Sequence, residues 1–150
     1  MRAPFTQLYL HCVWATWDRE PLITVQIEQP LYAFILAKSR ELRCVPIAIG
    51  GMSDHVHLLV RVSQTVSVAE FVSEVKGGSS HFVTHQLLPG SLFKWQGAYG
   101  AFTVSRDQVE PVRRYIEQQR EHHAMQSVIP AWEQTISEGT NSTEPEEPGE

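Results

Sequence analysis

Asp54-His55-Val56-His57-Leu58-Leu59-Val60 is the stretch on which the fold turns. Successive side chains on a β-strand point to opposite faces, so His55 and His57 share one face while Val56 and Leu58 share the other. Such a strand meets a core on its apolar face and holds two imidazoles side by side on the opposite one. Upstream, residues 44–49 predict another strand, broken by Gly50-Gly51. A connection this short makes it the antiparallel neighbour of the His strand, which extends over 55–62.

Working outward, residues 5–17 alternate Leu8, Leu10, Cys12 and Trp14 with Tyr9, His11 and Val13. This mostly apolar run suits a central strand, with His11 read as a structural residue. Arg19 and Pro21 mark a turn. Leu31, Ile35, Leu36 and Leu42 fall on a helical period and predict an amphipathic helix over about 28–42, with Pro30 in its first turn. Ser67 and Glu70 form a capping box for a second helix carrying Val68, Phe71, Val72 and Val75. Gly77-Gly78 within it predicts a bend or, alternatively, close approach of a phosphate backbone. His81 and His85, one turn apart, lack a third ligand and are read as surface residues.

Residues 93–104 predict a final strand interrupted by a glycine-rich loop, in which Trp95 and Tyr99 are either core aromatics or platforms for unpaired bases. Ser105 and Gln108 form a capping box for a last helix over 109–123, with Val109, Val112 and Ile116 as its apolar stripe. Spacing of four stacks Tyr115 over Gln119 on one face of that helix. The order strand, helix, strand, strand, helix, strand, helix predicts an α+β fold. We expect a ferredoxin-like (RRM-like) antiparallel sheet with helices on one face, the His strand central, plus a C-terminal tyrosine-bearing helix.

A chain of 150 residues, 42% hydrophobic and 19% charged, suits one domain, read here as 1–132. Residues 133–150 hold six Glu and no Lys or Arg and are read as an acidic, disordered tail. The formal charge is -5, but without the tail twelve Lys and Arg meet eleven Asp and Glu. The body is therefore near neutral rather than acidic. Cys12 and Cys44 form no disulfide framework and are expected to be reduced and buried. Neither a signal peptide nor a membrane span is recognised, so a cytoplasmic, nucleoid-associated protein is expected.

His-x-His alone fits a half-buried strand with two polar positions as well as a metal site. Tyr115 and Gln119, close to Arg113, Arg114 and Arg120, offer a nucleophile and a candidate for a third ligand. Their bland rivals are an amphipathic anchor and a solvated Arg face. Two imidazoles and an amide ordinarily favour zinc, copper or nickel over magnesium.

Five stretches carry a resemblance: Trp14-Ala15-Thr16, Ser53 to Leu59, Val75-Lys76-Gly77-Gly78-Ser79-Ser80, Phe93 to Phe102, and Tyr115 to His123. Together and in this order they resemble the single-tyrosine HUH transposases, which include insertion-sequence and REP-associated tyrosine transposases. Ala98 departs from the family, standing where a glycine usually precedes the Tyr-Gly pair.

The resemblance implies that His55, His57 and Gln119 hold a divalent ion, Mg2+ or Mn2+, with DNA phosphate oxygens and water completing an oxygen-rich shell. It implies that Tyr115 attacks single-stranded DNA at a hairpin, leaving a 5′-phosphotyrosine link and a free 3′-hydroxyl. A homodimer with tyrosine helices acting in trans is also implied, without a membrane partner. Lys76, Lys94, Trp95, Arg106 and Arg113 are the candidate DNA contacts. The sequence identifies no base for the phenol. Two rival functions stay open: a catalytically idle hairpin-binding module, and a zinc hydrolase indifferent to Tyr115.

Overall fold

Apolar alternation is realised in four strands: β1 (Tyr9–Ala15), β2 (Val45–Met52), β3 (His55–Arg61) and β4 (Gly100–Val104). They are hydrogen-bonded in the order β2-β3-β1-β4 and every neighbouring pair is antiparallel. Helix α1 (Val25–Glu41) links β1 to β2, and α2 (Val68–Phe82) links β3 to β4. This computed structural model describes residues 2–125 and 127–136. It has the ferredoxin-like α+β topology expected from the element order, with the His strand and β1 in the two central positions.

The period of two separates two layers. Leu10, Cys12 and Trp14 of β1 and Val56, Leu58 and Val60 of β3 meet Ile27, Leu31 and Ile35 of α1 and Phe71, Val72 and Val75 of α2. Each such side chain, fully buried, contributes about 1.5–3 kcal/mol, so this layer holds the sheet rigid. The opposite face carries His11, His55, His57 and Leu59, all buried. There Val112 and Ile116 of α3 (Val109–Glu117) pack on Ala48 and Leu59, fastening the tyrosine helix to the imidazole face. Cys12 and Cys44 are free and buried. Among the described residues no helix is long and apolar enough to cross a membrane.

Several local expectations are corrected. Strand β2 runs through Gly50-Gly51 instead of breaking there, and the reversal falls at Ser53-Asp54. A Cβ at Gly50 would collide with the backbone carbonyl of Ile116, so this glycine admits α3 rather than turning the chain. Helix α1 starts at Val25, which puts Pro30 inside it rather than in its first turn; buried Ile27 belongs to the helical core face. Helix α2 is unbroken at Gly77-Gly78, so the expected bend is absent; Gly78 packs on the Phe34 ring while Gly77 faces open space. Its Ser67 cap is as expected, accepting the Glu70 N–H at 3.1 Å. Ser105 caps nothing; it donates to Asp107, and a 3-10 turn over Arg106–Gln108 precedes α3.

The last helix divides. After α3, Gln118 leaves helical geometry with φ -107° and ψ 25°, and α4 (Gln119–Ala124) begins. A short α5 (Pro130–Glu133) follows. The predicted tail begins at 133, but Glu133 ends this helix and packs against the imidazole face, so the ordered chain passes that boundary. Its carboxylate has partners there, which composition alone did not reveal. Residues 137–150, the rest of the predicted tail, lie outside the described residues.

Candidate active site

Strand β3 presents His55 and His57 on the face expected, both buried, with ring centroids 5.1 Å apart. Asp54, at the hairpin turn, accepts from His55 Nδ1 at 2.7 Å. That hydrogen bond holds the Asp54 carboxyl below its usual range, against burial. It also fixes the His55 tautomer. With Nδ1 donating to Asp54, Nε2 faces Gln119 Oε1 at 3.2 Å and Glu133 Oε2 at 3.5 Å.

These are acceptors converging on one another, an arrangement that a cation relieves. His57 Nε2 lies 2.8 Å from the same Glu133 oxygen and, with no cation on it, donates its proton there. Separations near 3 Å are what neighbouring ligands adopt around a small divalent ion with bonds of about 2.1 Å. The donor set therefore fits a divalent ion. His55, His57 and Glu133 form a cluster with ligand atoms within 4.8 Å of one another, and Gln119 adds the amide oxygen.

Tyr115 comes to this cluster from α3 of the same chain. Its ring lies edge-on to His57 at 6.0 Å and is only 4% exposed. The phenol donates to Glu133 Oε1 at 2.6 Å and accepts the Ile129 N–H at 3.0 Å. Burial, then the hydrogen bond to Glu133, push its pKa up to about 12. For Glu133, burial would raise the pKa, but the hydrogen bonds from His57 and Tyr115 outweigh it and hold it at about 2. Glu133 is a carboxylate at neutral pH. Gln119 does not stack above Tyr115 on one continuous helix. Across the break its side-chain N–H reaches the Tyr115 carbonyl at 3.3 Å, which aims Oε1 at the imidazoles.

Four participants escaped the sequence reading. Glu133 was lost in the acidic composition of the C-terminus, and no local signal marked it. His11 was read as structural; its Nε2 lies 2.7 Å from His57 Nδ1. His123 Nε2 contacts Gln119 Oε1 at 3.1 Å, and its spacing of four from Gln119 was legible. Arg19, with φ 54°, lines a cavity of about 450 Å3 with Asp54, His55, His123 and Glu133.

The candidate DNA contacts are scattered. Lys76 turns inward, its ammonium donating to the Gln96 and Ala98 carbonyls at 2.6 and 3.1 Å, and burial lowers its pKa. Lys94 lies 4.0 Å over the Trp17 ring. Arg106 is exposed. Arg113 is paired with Glu110 and Glu117 on the outside of α3. Trp95 is a core residue, edge-on to Trp14 and Phe93 with its indole N–H on Ser79 at 3.0 Å; no base can stack on it there. His81 and His85 stack on each other at the surface, apart from the His55, His57 and Glu133 cluster.

The chain is similar to known proteins in sequence and in fold. A family model described as transposase IS200 like matches residues 4–119. The ISDra2 transposase TnpA of Deinococcus radiodurans is 27% identical over 120 residues, covering 77% of this chain and 86% of that protein. A candidate transposase of the same organism, in a crystal structure at 1.90 Å resolution, gives a TM-score of 0.61 at 26% identity, covering 79% of this chain and 95% of that one. A REP-associated tyrosine transposase bound to a REP hairpin gives 0.62 at 14% identity, over 82% and 73% of the two chains, a likeness of fold alone.

Proposed function

The chain belongs to the IS200-like transposase family, and from that premise we propose that it cleaves and rejoins single-stranded DNA at hairpin or palindromic sites through Tyr115. His55, His57 and Gln119 hold a divalent ion, Mg2+ or Mn2+, with Glu133 beside them. The observation that carries this reading is the shared carboxylate: one Glu133 oxygen receives the Tyr115 phenol at 2.6 Å and the other lies 2.8 Å from His57 Nε2. A nucleophile, an acceptor for its proton and a metal-ligating imidazole thus touch one side chain.

When bound, the ion supplies Lewis-acid polarisation of a phosphate oxygen and a template for in-line attack. The protein supplies the rest. Asp54 holds His55 in its tautomer, the Tyr115 carbonyl orients Gln119, and Glu133 accepts the phenolic proton as the tyrosine oxygen bonds to phosphorus. The phenol lies within direct proton-transfer reach of that carboxylate, at 2.6 Å. The bond to the 3′-oxygen breaks, that oxygen leaves as a hydroxyl once protonated, and the 5′-phosphate stays on Tyr115. One phosphodiester replaces another, so rejoining needs no nucleotide hydrolysis. Because the phenol oxygen already makes two protein hydrogen bonds, the incoming phosphate takes the place of one.

A homodimer belongs to the proposal, with tyrosine helices exchanged in trans or kept in the cis arrangement described above. The hairpin in the REP-associated structure supports a hairpin substrate. The test is incubation with Mn2+ and an end-labelled hairpin oligonucleotide, followed by denaturing electrophoresis. A covalent adduct is expected, and Tyr115→Phe abolishes it. Binding without an adduct in every divalent ion would replace the enzyme by a recognition module.

A further inference from the structure

His11 lies mid-strand in β1, 1% exposed, and the mechanism above leaves it idle. Its ring stacks on His57 at 5.0 Å, the diagonal pair across β1 and β3, and its Nε2 is 2.7 Å from His57 Nδ1. Both rings are buried and face each other rather than a carboxylate on this side, so they meet as neutral imidazoles. Between two facing neutral imidazole nitrogens one donates and the other accepts.

The far side of His57 decides which. With His57 Nε2–H on Glu133 at 2.8 Å, Nδ1 is the acceptor and His11 Nε2 donates. A cation on His57 Nε2 needs that lone pair, so the His57 proton must then sit on Nδ1 and His11 Nε2 must accept. We propose that His11 is a positioning residue acting as a two-way tautomer relay, moving its own proton from Nε2 to Nδ1 whenever a divalent cation occupies His57. Each ring loses one proton at Nε2 and gains one at Nδ1 by exchange with water, so both stay neutral and no net charge moves.

His11 has room to switch. It lines a cavity of about 190 Å3 with Thr103, Ser105, Gln108 and Trp132. Among the described residues its Nδ1 has no protein partner, yet it is not one of the sealed unpaired atoms. A water in that cavity can accept the new Nδ1–H. A residue that only donates, or only accepts, would favour one state of His57 and oppose the other.

The inference rests on His57 being a ligand, and the experiment separates the two. Histidine-labelled full-length protein is titrated with Mg2+ or Zn2+ while long-range proton–nitrogen spectra identify the protonated nitrogen of each ring. Both rings should switch from Nε2 to Nδ1 at the same cation concentration. In calorimetry with Mn2+, His11→Phe should lose about 10- to 100-fold in affinity, while His11→Gln, able to donate or accept, should stay within a few-fold of wild type. A role confined to packing against Phe102 and Trp132 predicts the reverse order, phenyl tolerated and amide not. His57 switching while His11 keeps its Nε2 proton, or an undiminished affinity in His11→Phe, overturns the relay. If neither ring responds to any cation, the metal reading of His57 falls with it.

Discussion

Replacing Glu133 by Gln removes one charge and one proton acceptor while leaving the size of the side chain unchanged. The carboxylate contacts Tyr115 at 2.6 Å, His57 at 2.8 Å and His55 at 3.5 Å. Since Glu133 is held at about 2, wild type is ionised throughout the neutral range. The Gln carbonyl still accepts the phenol hydrogen bond, so the orientation of Tyr115 survives while the destination of its proton is lost. A positioned base is worth roughly 10²- to 10⁴-fold in rate, or about 3–5 kcal/mol of barrier. Adduct formation under single-turnover conditions, with labelled oligonucleotide and saturating Mn2+, should slow by that factor. Calorimetry should show Mn2+ affinity falling about tenfold, because one Glu133 oxygen belongs to the donor set. Wild-type adduct rates in Glu133→Gln at saturating Mn2+ would refute the assignment of the base.

In chelator, the folded chain refuses a proton at His11 that the unfolded chain binds between pH 6.5 and about 3, so stability should fall on acidification across that window. His11→Phe should flatten that part of the profile in denaturant melts; the depressed Glu133 contributes below pH 4.5, where its stabilisation is lost toward about 2. Gly50→Ala drives a methyl into the Ile116 carbonyl and should cost about 1–3 kcal/mol in thermal melts, with a slower adduct as α3 shifts. Trp95→Ala should cost about 3–5 kcal/mol of stability while the folded fraction keeps its affinity for single-stranded DNA. Lys76→Met leaves the Gln96 and Ala98 carbonyls unpaired and should cost about 1–3 kcal/mol. Its slope of log affinity against log salt should match wild type, since the ammonium already serves those carbonyls rather than a phosphate.

Periodicity made much of the architecture legible. Val56, Leu58 and Val60 against His55 and His57 assign two faces to β3, and Leu10, Cys12 and Trp14 do the same for β1. The order of elements then leads to the antiparallel sheet. Breaks were harder to read because glycine has several uses: Gly50 is a close approach inside a strand, and Gly78 a contact between helices. The division at Gln118 carries no proline or glycine to announce it, and the side-chain amide of Gln119 serves the Tyr115 carbonyl across it.

What the sequence determined by itself is therefore the sheet, its central His strand, and a tyrosine and glutamine on a C-terminal helical segment. The tertiary structure decided which polar groups meet. His57 reaches Glu133 across 76 positions and His11 across 46, distances at which local periodicity carries no information. A residue's neighbours along the chain set its face and its element; its proton partner is set only when separate elements close on one another.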